Sequence, residues 1–248
     1  MLLFGSNGEP QFGVFMNKLL RVTLMAIGLS VLISVVSVAE TNAQVLNEIL
    51  RRMDVNNKAL QSLTASLTMV KTNTQLNVSD TTTGTTSYLP KSKLTGGKLY
   101  IRIDWTRPVE EQISVIGDAY ELYRPRLNQV IVGKTNNAKN NASVGGALGF
   151  MSMSKEQLRA NYDVVYIGEE GINGGVTTWH LQLTPKTPQS YKIADLWVDG
   201  DGMPRQAKVT EQNNDTTTVL LSNIQKNGTI QTKIFKLNYP GSVKKIKA

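Results

Sequence analysis

The sequence contains no cysteine, which excludes disulfides, zinc–thiolate sites, thiol nucleophiles and CxxC redox chemistry. The same absence removes the residue on which a cysteine-anchored lipoprotein is lipidated. Histidine is nearly absent too: His180 stands alone, and no catalytic triad can be assembled around it. Adjacent acids, Glu110-Glu111 and Glu169-Glu170, point to opposite faces if they lie in strands and make poor acid–base dyads. Asp199-x-Asp201-Gly202 echoes the opening of a calcium loop but lacks the remaining ligands, so a hairpin turn accounts for it better. No cofactor, metal site or catalytic residue is expected.

Acidic residues are outnumbered, 19 against 27 Lys and Arg, which leaves a formal charge of +8. Residues 1–43 hold Lys18, Arg21, Glu9 and Glu40, so the whole surplus falls on residues 44–248. Such a balance suits nucleic acid, an anionic membrane surface or an acidic protein partner, or is a solvated surface. The basic residues are scattered without a helix-turn-helix or ribonucleoprotein-type aromatic motif, so nucleic acid is not an expected partner.

One long apolar run is present. Asn17-Lys18-Leu19-Leu20-Arg21 is followed by uncharged residues from Val22 to Ala39, a basic n-region and hydrophobic h-region that read as an export signal. Small residues place cleavage before Glu40 or, preferably, before Gln44; residues 1–43 are read as an N-terminal extension and signal peptide. The competing reading is an uncleaved anchor, since the run is long enough to span a bilayer. The expected location is the periplasm, with residues 44–248 forming one domain.

In that domain Leu46, Ile49, Leu50, Met53, Ala59 and Leu60 recur at near-helical spacing, predicting a long amphipathic helix from Val45 to about Gln61. The period then changes to two, as in Leu99-Tyr100-Ile101-Arg102-Ile103-Asp104-Trp105 and Trp179-His180-Leu181-Gln182-Leu183. Turn signals such as Gly96-Gly97, Gly117-Asp118, Asp199-Gly200-Asp201-Gly202 and Asn227-Gly228 separate the strands. An insertion at residues 135–161 interrupts them, and Ser154 with Gln157 three residues on resembles a capping box opening a short helix to about Asn161. The expectation is a mainly β chain with helices (α+β), of about ten or eleven antiparallel strands. Such a sheet must curl or be covered, giving an incomplete barrel closed by the N-terminal helix and the mid-chain helical insertion.

Residues 104–133 carry a denser pattern: Asp104-Trp105-Thr106-Arg107-Pro108, then Glu111-Gln112-Ile113-Ser114-Val115-Ile116-Gly117-Asp118, then Leu122-Tyr123-Arg124-Pro125-Arg126-Leu127-Asn128-Gln129-Val130. Downstream come Leu181-Gln182-Leu183-Thr184-Pro185-Lys186 and Leu196-Trp197-Val198-Asp199. This order resembles the LolA-type outer-membrane lipoprotein carriers over most of residues 44–240. The resemblance implies a periplasmic carrier of acylated lipoproteins, loaded by an inner-membrane ABC transporter and unloaded onto an outer-membrane acceptor. It departs at one place: the family's lid-latching Arg would fall near Leu99, and the neighbouring basic residues are Lys91, Lys93, Lys98 and Arg102.

The cavity wall is expected from Leu67, Met69, Leu99, Ile101, Ile103, Trp105, Ile113, Val115, Leu181, Leu183, Leu196 and Val198, spaced by two within each strand. Met53, Leu148, Phe150, Met151 and Met153 are the expected lid, because Met and Leu repack readily. Burying an acyl chain of about 16 carbons is worth on the order of 13 kcal/mol before costs, so a releasable carrier needs a lid that refills the empty cavity. Two further functions fit the same fold: a lipid-binding or envelope-stress sensor module, and an outer-membrane-associated structural protein. Sensors of this type normally carry a second domain, for which about 205 residues leave little room, so length favours the carrier, which is expected to be a monomer.

Overall fold

The computed structural model describes residues 42–135, 149, 153–173 and 175–247. Residues 1–41 of the expected extension and signal peptide, 1–43, and the expected lid residues Leu148, Phe150 and Met151 lie outside the described residues. The chain divides into two compact units, Met1–Val45 and Leu46–Ala248. Of the first, residues 42–45 are described and are helical; helix α1 is described over 42–59.

The second unit is built on one sheet. After α1 come β1 (Leu63–Asn73), β2 (Val78–Leu89), β3 (Tyr100–Arg107), β4 (Glu111–Ile116), β5 (Ala119–Arg124) and β6 (Gln129–Lys134). Helix α2 (Lys155–Asn161) precedes β7 (Tyr162–Ile172), β8 (Val176–Pro185), β9 (Tyr191–Asp199), β10 (Pro204–Glu211) and β11 (Thr216–Lys226), and β12 (Lys244–Lys247) comes last. The order across the sheet is β12-β6-β5-β4-β3-β2-β1-β11-β10-β9-β8-β7. β1 and β11 pair antiparallel and join two meanders, and the two ends of the sheet stay apart, so the barrel is open.

Among the described residues the sheet has twelve strands, against the ten or eleven expected. β12 carries three lysines in four residues and pairs parallel with β6, so no apolar alternation announces it. The capping box at Ser154 is present in full: the Ser154 hydroxyl accepts from the Gln157 amide, and the Gln157 side chain accepts from the Ser154 amide at 2.9 Å. That reciprocal pairing lets a helix of 7 residues start abruptly at the foot of β7.

Helix α1 is seated by the β9–β10 turn. Gly202, at φ +84°, lies so close beneath the helix that a Cβ built on it would stand 2.3 Å from the Arg52 carbonyl carbon. Arg52 in turn donates to the Gly200 carbonyl at 2.8 Å, and the Asn56 amide reaches the Met203 sulfur at 3.4 Å. The Asp199 carboxylate organises the turn by accepting from the Asp201 and Met203 amides at 3.0 and 2.9 Å and pairing with Arg205 at 2.6 Å. The calcium-like tetrad is thus a hairpin turn that carries a helix. We expect Gly202→Ala to lower stability by at least about 2 kcal/mol through strain and displacement of α1. Gly200→Ala, whose Cβ meets nothing within 4 Å, should stay within about 0.5 kcal/mol. Urea midpoints at constant m-value read the difference.

Candidate functional site

Because directly paired residues of neighbouring strands share a face, the register assigns every side chain to one side of the sheet. Starting from Leu196, the pairs Leu181↔Leu196, Leu183↔Ala194, Leu196↔Ala207 and Ala207↔Val219 set one apolar face on β8–β11. It continues through Val219↔Met69 and Leu221↔Leu67 to β1, then through Ala65↔Thr86, Thr86↔Ile103 and Ile103↔Ile113 to β4. Ile113↔Leu122 and Leu122↔Ile131 carry it to β6. Eleven of the residues expected to line the cavity stand on this one face: Leu67, Met69, Ile101, Ile103, Trp105, Ile113, Val115, Leu181, Leu183, Leu196 and Val198. The remaining one, Leu99, sits just ahead of β3, where its carbonyl accepts from the Gly117 amide at 2.8 Å.

The face has two halves. Over β8–β11 and β1, Leu181, Leu183, Leu196 and Val198 are fully buried, and Leu67 and Met69 nearly so. Arg52 of α1 lies over the Trp179 ring at 5.3 Å, and Trp179 pairs with Val198, so the helix crosses this half. Its apolar residues Ile49, Leu50 and Met53 are buried as well. Met53, expected in the lid, is therefore the underside of the long helix, while Met153 is half-buried immediately before the α2 cap.

Over β2–β6 the same face is only partly covered. Ile103, Trp105 and Leu122 are buried, whereas Tyr88, Ile101, Ile113, Val115, Tyr120 and Ile131 are half-buried. Burial pushes the Tyr88 phenol above its ordinary pKa. The Tyr120 ring lies across Gly133, where a Cβ would stand 2.7 Å from it, so the absent side chain makes room for the aromatic ring. Tyr88, Tyr120, Leu122 and Ile131 were not among the expected lining residues. Their signal was present in the register rather than in any one strand.

The opposite face is occupied by other interactions. His180 stacks on Trp197 at 4.5 Å and is bracketed by Asp195 at 2.9 Å and Glu170 at 3.0 Å. It is a satisfied structural histidine on the side away from the apolar face, since it pairs with Trp197 rather than Leu196. Arg102, the arginine nearest the family's latch position, also points to this side: it pairs with Asp104 at 2.6 Å and donates to the Ile234 carbonyl at 3.3 Å. It ties down the C-terminal segment.

The described sheet is thus open, with one apolar face that is packed under a helix over one half and half-buried over the other. The family described as outer membrane lipoprotein carrier protein LolA matches residues 59–238, and the chain belongs to that family. Among solved structures, an uncharacterized conserved protein from Thermus thermophilus is similar at 12% identity and TM-score 0.52, over 82% of this chain and 99% of that one. MucB is similar at 13% identity and TM-score 0.53, over 82% of this chain and 65% of MucB. At such identities the likeness is one of fold. No functionally curated protein matches the chain in sequence.

The two halves should separate in stability measurements. Leu196→Ala, at a fully buried site, is expected to cost about 2–5 kcal/mol, and Val115→Ala, at a half-buried site, under about 1 kcal/mol. Chemical denaturation of the two variants checks this; equal losses would place Val115 in the packed core.

Proposed function

We propose that this protein is a periplasmic carrier that holds the acyl chains of lipoproteins against the β2–β6 half of its apolar face. It takes them from an inner-membrane ABC transporter and passes them to an outer-membrane acceptor. The observation that carries the reading is the patch of Tyr88, Ile101, Ile113, Val115, Tyr120 and Ile131, half-buried, uncharged and continuous with the packed core. Membership of the lipoprotein-carrier family supports the cargo class. Residues 44–248 act as one domain after removal of residues 1–43, as a monomer and without catalysis or cofactor.

Physical reasoning supports division of the face. Transfer of an acyl chain of about 16 carbons releases on the order of 13 kcal/mol, more than a transient carrier can retain. A surface already half-covered gives back part of that gain, because apolar area sheltered before binding contributes nothing on binding. The helix-covered half stays packed whether or not cargo is bound, so loading does not unfold the protein.

Uptake of a hydrophobic fluorophore, displaced by competing acylated lipopeptide, tests the reading. The wild type should bind and release the probe. Val115→Asp and Ile131→Asp should weaken binding at least about tenfold, each placing a charge against an acyl chain. Absence of uptake by the folded wild type, with no lipid or lipoprotein co-purifying by mass spectrometry, would sink it.

A further inference from the structure

The C-terminal segment is unlike the rest of the chain in charge. Residues 228–248 contain five lysines, Lys233, Lys236, Lys244, Lys245 and Lys247, and neither Asp nor Glu, so more than half of the +8 surplus lies in this stretch. The structure lays it as a strap across the outer face of β3–β6. Phe235, in a 3₁₀ turn over Thr232–Phe235, is fully buried against Tyr100 at 5.3 Å, and its carbonyl accepts from Ser114. Tyr239 meets Tyr123 at 5.6 Å, Leu237 packs with Tyr123 and Val130, and β12 then lines the edge of β6.

Phe235, Leu237 and Tyr239 point into the sheet; Lys245 and Lys247, level with Val130 and Val132, leave β12 on the outer side, while Lys244, level with Gln129, leaves it on the other. All five lysines are exposed. Among the described residues none of them has a carboxylate partner, whereas the carboxylates of the outer face are engaged: Asp104 by Arg102, and Glu121 by the Tyr239 hydroxyl. Lys245 rests over the Tyr239 ring at 5.6 Å. Two large apolar side chains stand exposed among them, Ile234 at 41% on the strap and Leu127 at 63% on the β5–β6 tip. That tip is joined to the strap through the Lys244 amide and the Asn128 carbonyl at 2.9 Å.

We propose that this strap is a docking surface for an anionic phospholipid bilayer. Lysine without arginine supplies point charges rather than bidentate forks, which suits a diffuse field of headgroups better than chosen carboxylates. The cations form an array running over four strands, about 15 Å at ordinary strand spacing, rather than converging on a pocket. Ile234 and Leu127 stand where a bilayer would take up apolar side chains between headgroup-bound cations. Docking through the outer face leaves the apolar face on the other side of the sheet free, so membrane approach and cargo binding are separable.

Co-sedimentation of the protein with phosphatidylglycerol–phosphatidylcholine vesicles, against pure phosphatidylcholine, tests the proposal. Binding should require the anionic lipid and weaken as salt rises. Each cation near such a surface contributes about fivefold, so Lys233→Gln, Lys236→Gln and Lys247→Gln combined should lower partitioning on the order of a hundredfold. Lys91→Gln, Lys93→Gln and Lys98→Gln, three exposed lysines outside the strap, should leave it largely unchanged. Hydrophobic-probe uptake should be equal in both variants and the wild type, which keeps this outcome apart from that of the carrier reading. No binding to anionic vesicles at low salt overturns the proposal and turns attention to an acidic protein partner. Equal losses in the two triple variants overturn it as well, by showing that net charge alone acts.

Discussion

The structure depends on one constraint: a single sheet of twelve strands has two faces and two edges, and each must be dealt with separately. A closed barrel would remove the edges and hide one face. Here closure does not occur, and the chain uses other segments. Helix α1 covers half of the apolar face, the C-terminal strap covers the outer face of β3–β6, and β12 shields the edge of β6. At the other edge, β7 bulges at Gly168, and its terminal acids turn back onto the sheet, Glu169 to Trp179 at 3.0 Å and Glu170 to His180 and Trp197. Charge and irregularity discourage strand addition at both ends, by lysines at one and by a bulge with carboxylates at the other.

This arrangement explains why the face is uneven. The described part of α1, residues 42–59, is seated at Gly202 in the β9–β10 turn and crosses the β8 side of the sheet at Trp179. The half beyond its reach retains apolar side chains because the strands there still need a core: Ile103, Trp105 and Leu122 are buried between less buried neighbours. A graded surface follows, anchored by buried residues and fringed by half-buried ones. Such a gradient is what a reversible apolar site requires, since complete burial leaves nothing to bind and complete exposure invites aggregation.

Much of this was legible in the sequence wherever one face of a strand is apolar and the other polar. Leu181, Leu183, Leu196 and Val198 show period two with polar or amphipathic partners between them, and the register confirms their common face. Ser154 and Gln157 announced their helix because a capping box is a local signal. β5 was opaque for the opposite reason. In Ala119-Tyr120-Glu121-Leu122-Tyr123-Arg124 both Leu122 and Tyr123 are buried, one on each face, because the strap covers the outer side. Alternation cannot be read where both faces are covered, so Tyr120 and Leu122 escaped notice. The strap was opaque too: residues 228–243 follow neither period, and their order is imposed by Phe235, Leu237 and Tyr239 finding pockets far away in sequence.

Arg102 shows how the two sides of the sheet constrain one another. Position 102 lies between Ile101 and Ile103, so in a strand its side chain must leave by the outer face. An arginine there cannot reach across the apolar face to latch a lid without a register slip that would expose both isoleucines. It pairs instead with Asp104, two residues on and therefore on the same side, and its guanidinium holds the Ile234 carbonyl. The partly covered state of the apolar face therefore owes nothing to a polar latch of this arginine. Apolar contacts lose their strength gradually as side chains slide, whereas a buried guanidinium bond breaks at a discrete cost. In the carrier function proposed above, exchange of cargo at this face would call for repacking of half-buried side chains such as Ile101 and Val115, with Arg102 and the strap left in place behind them.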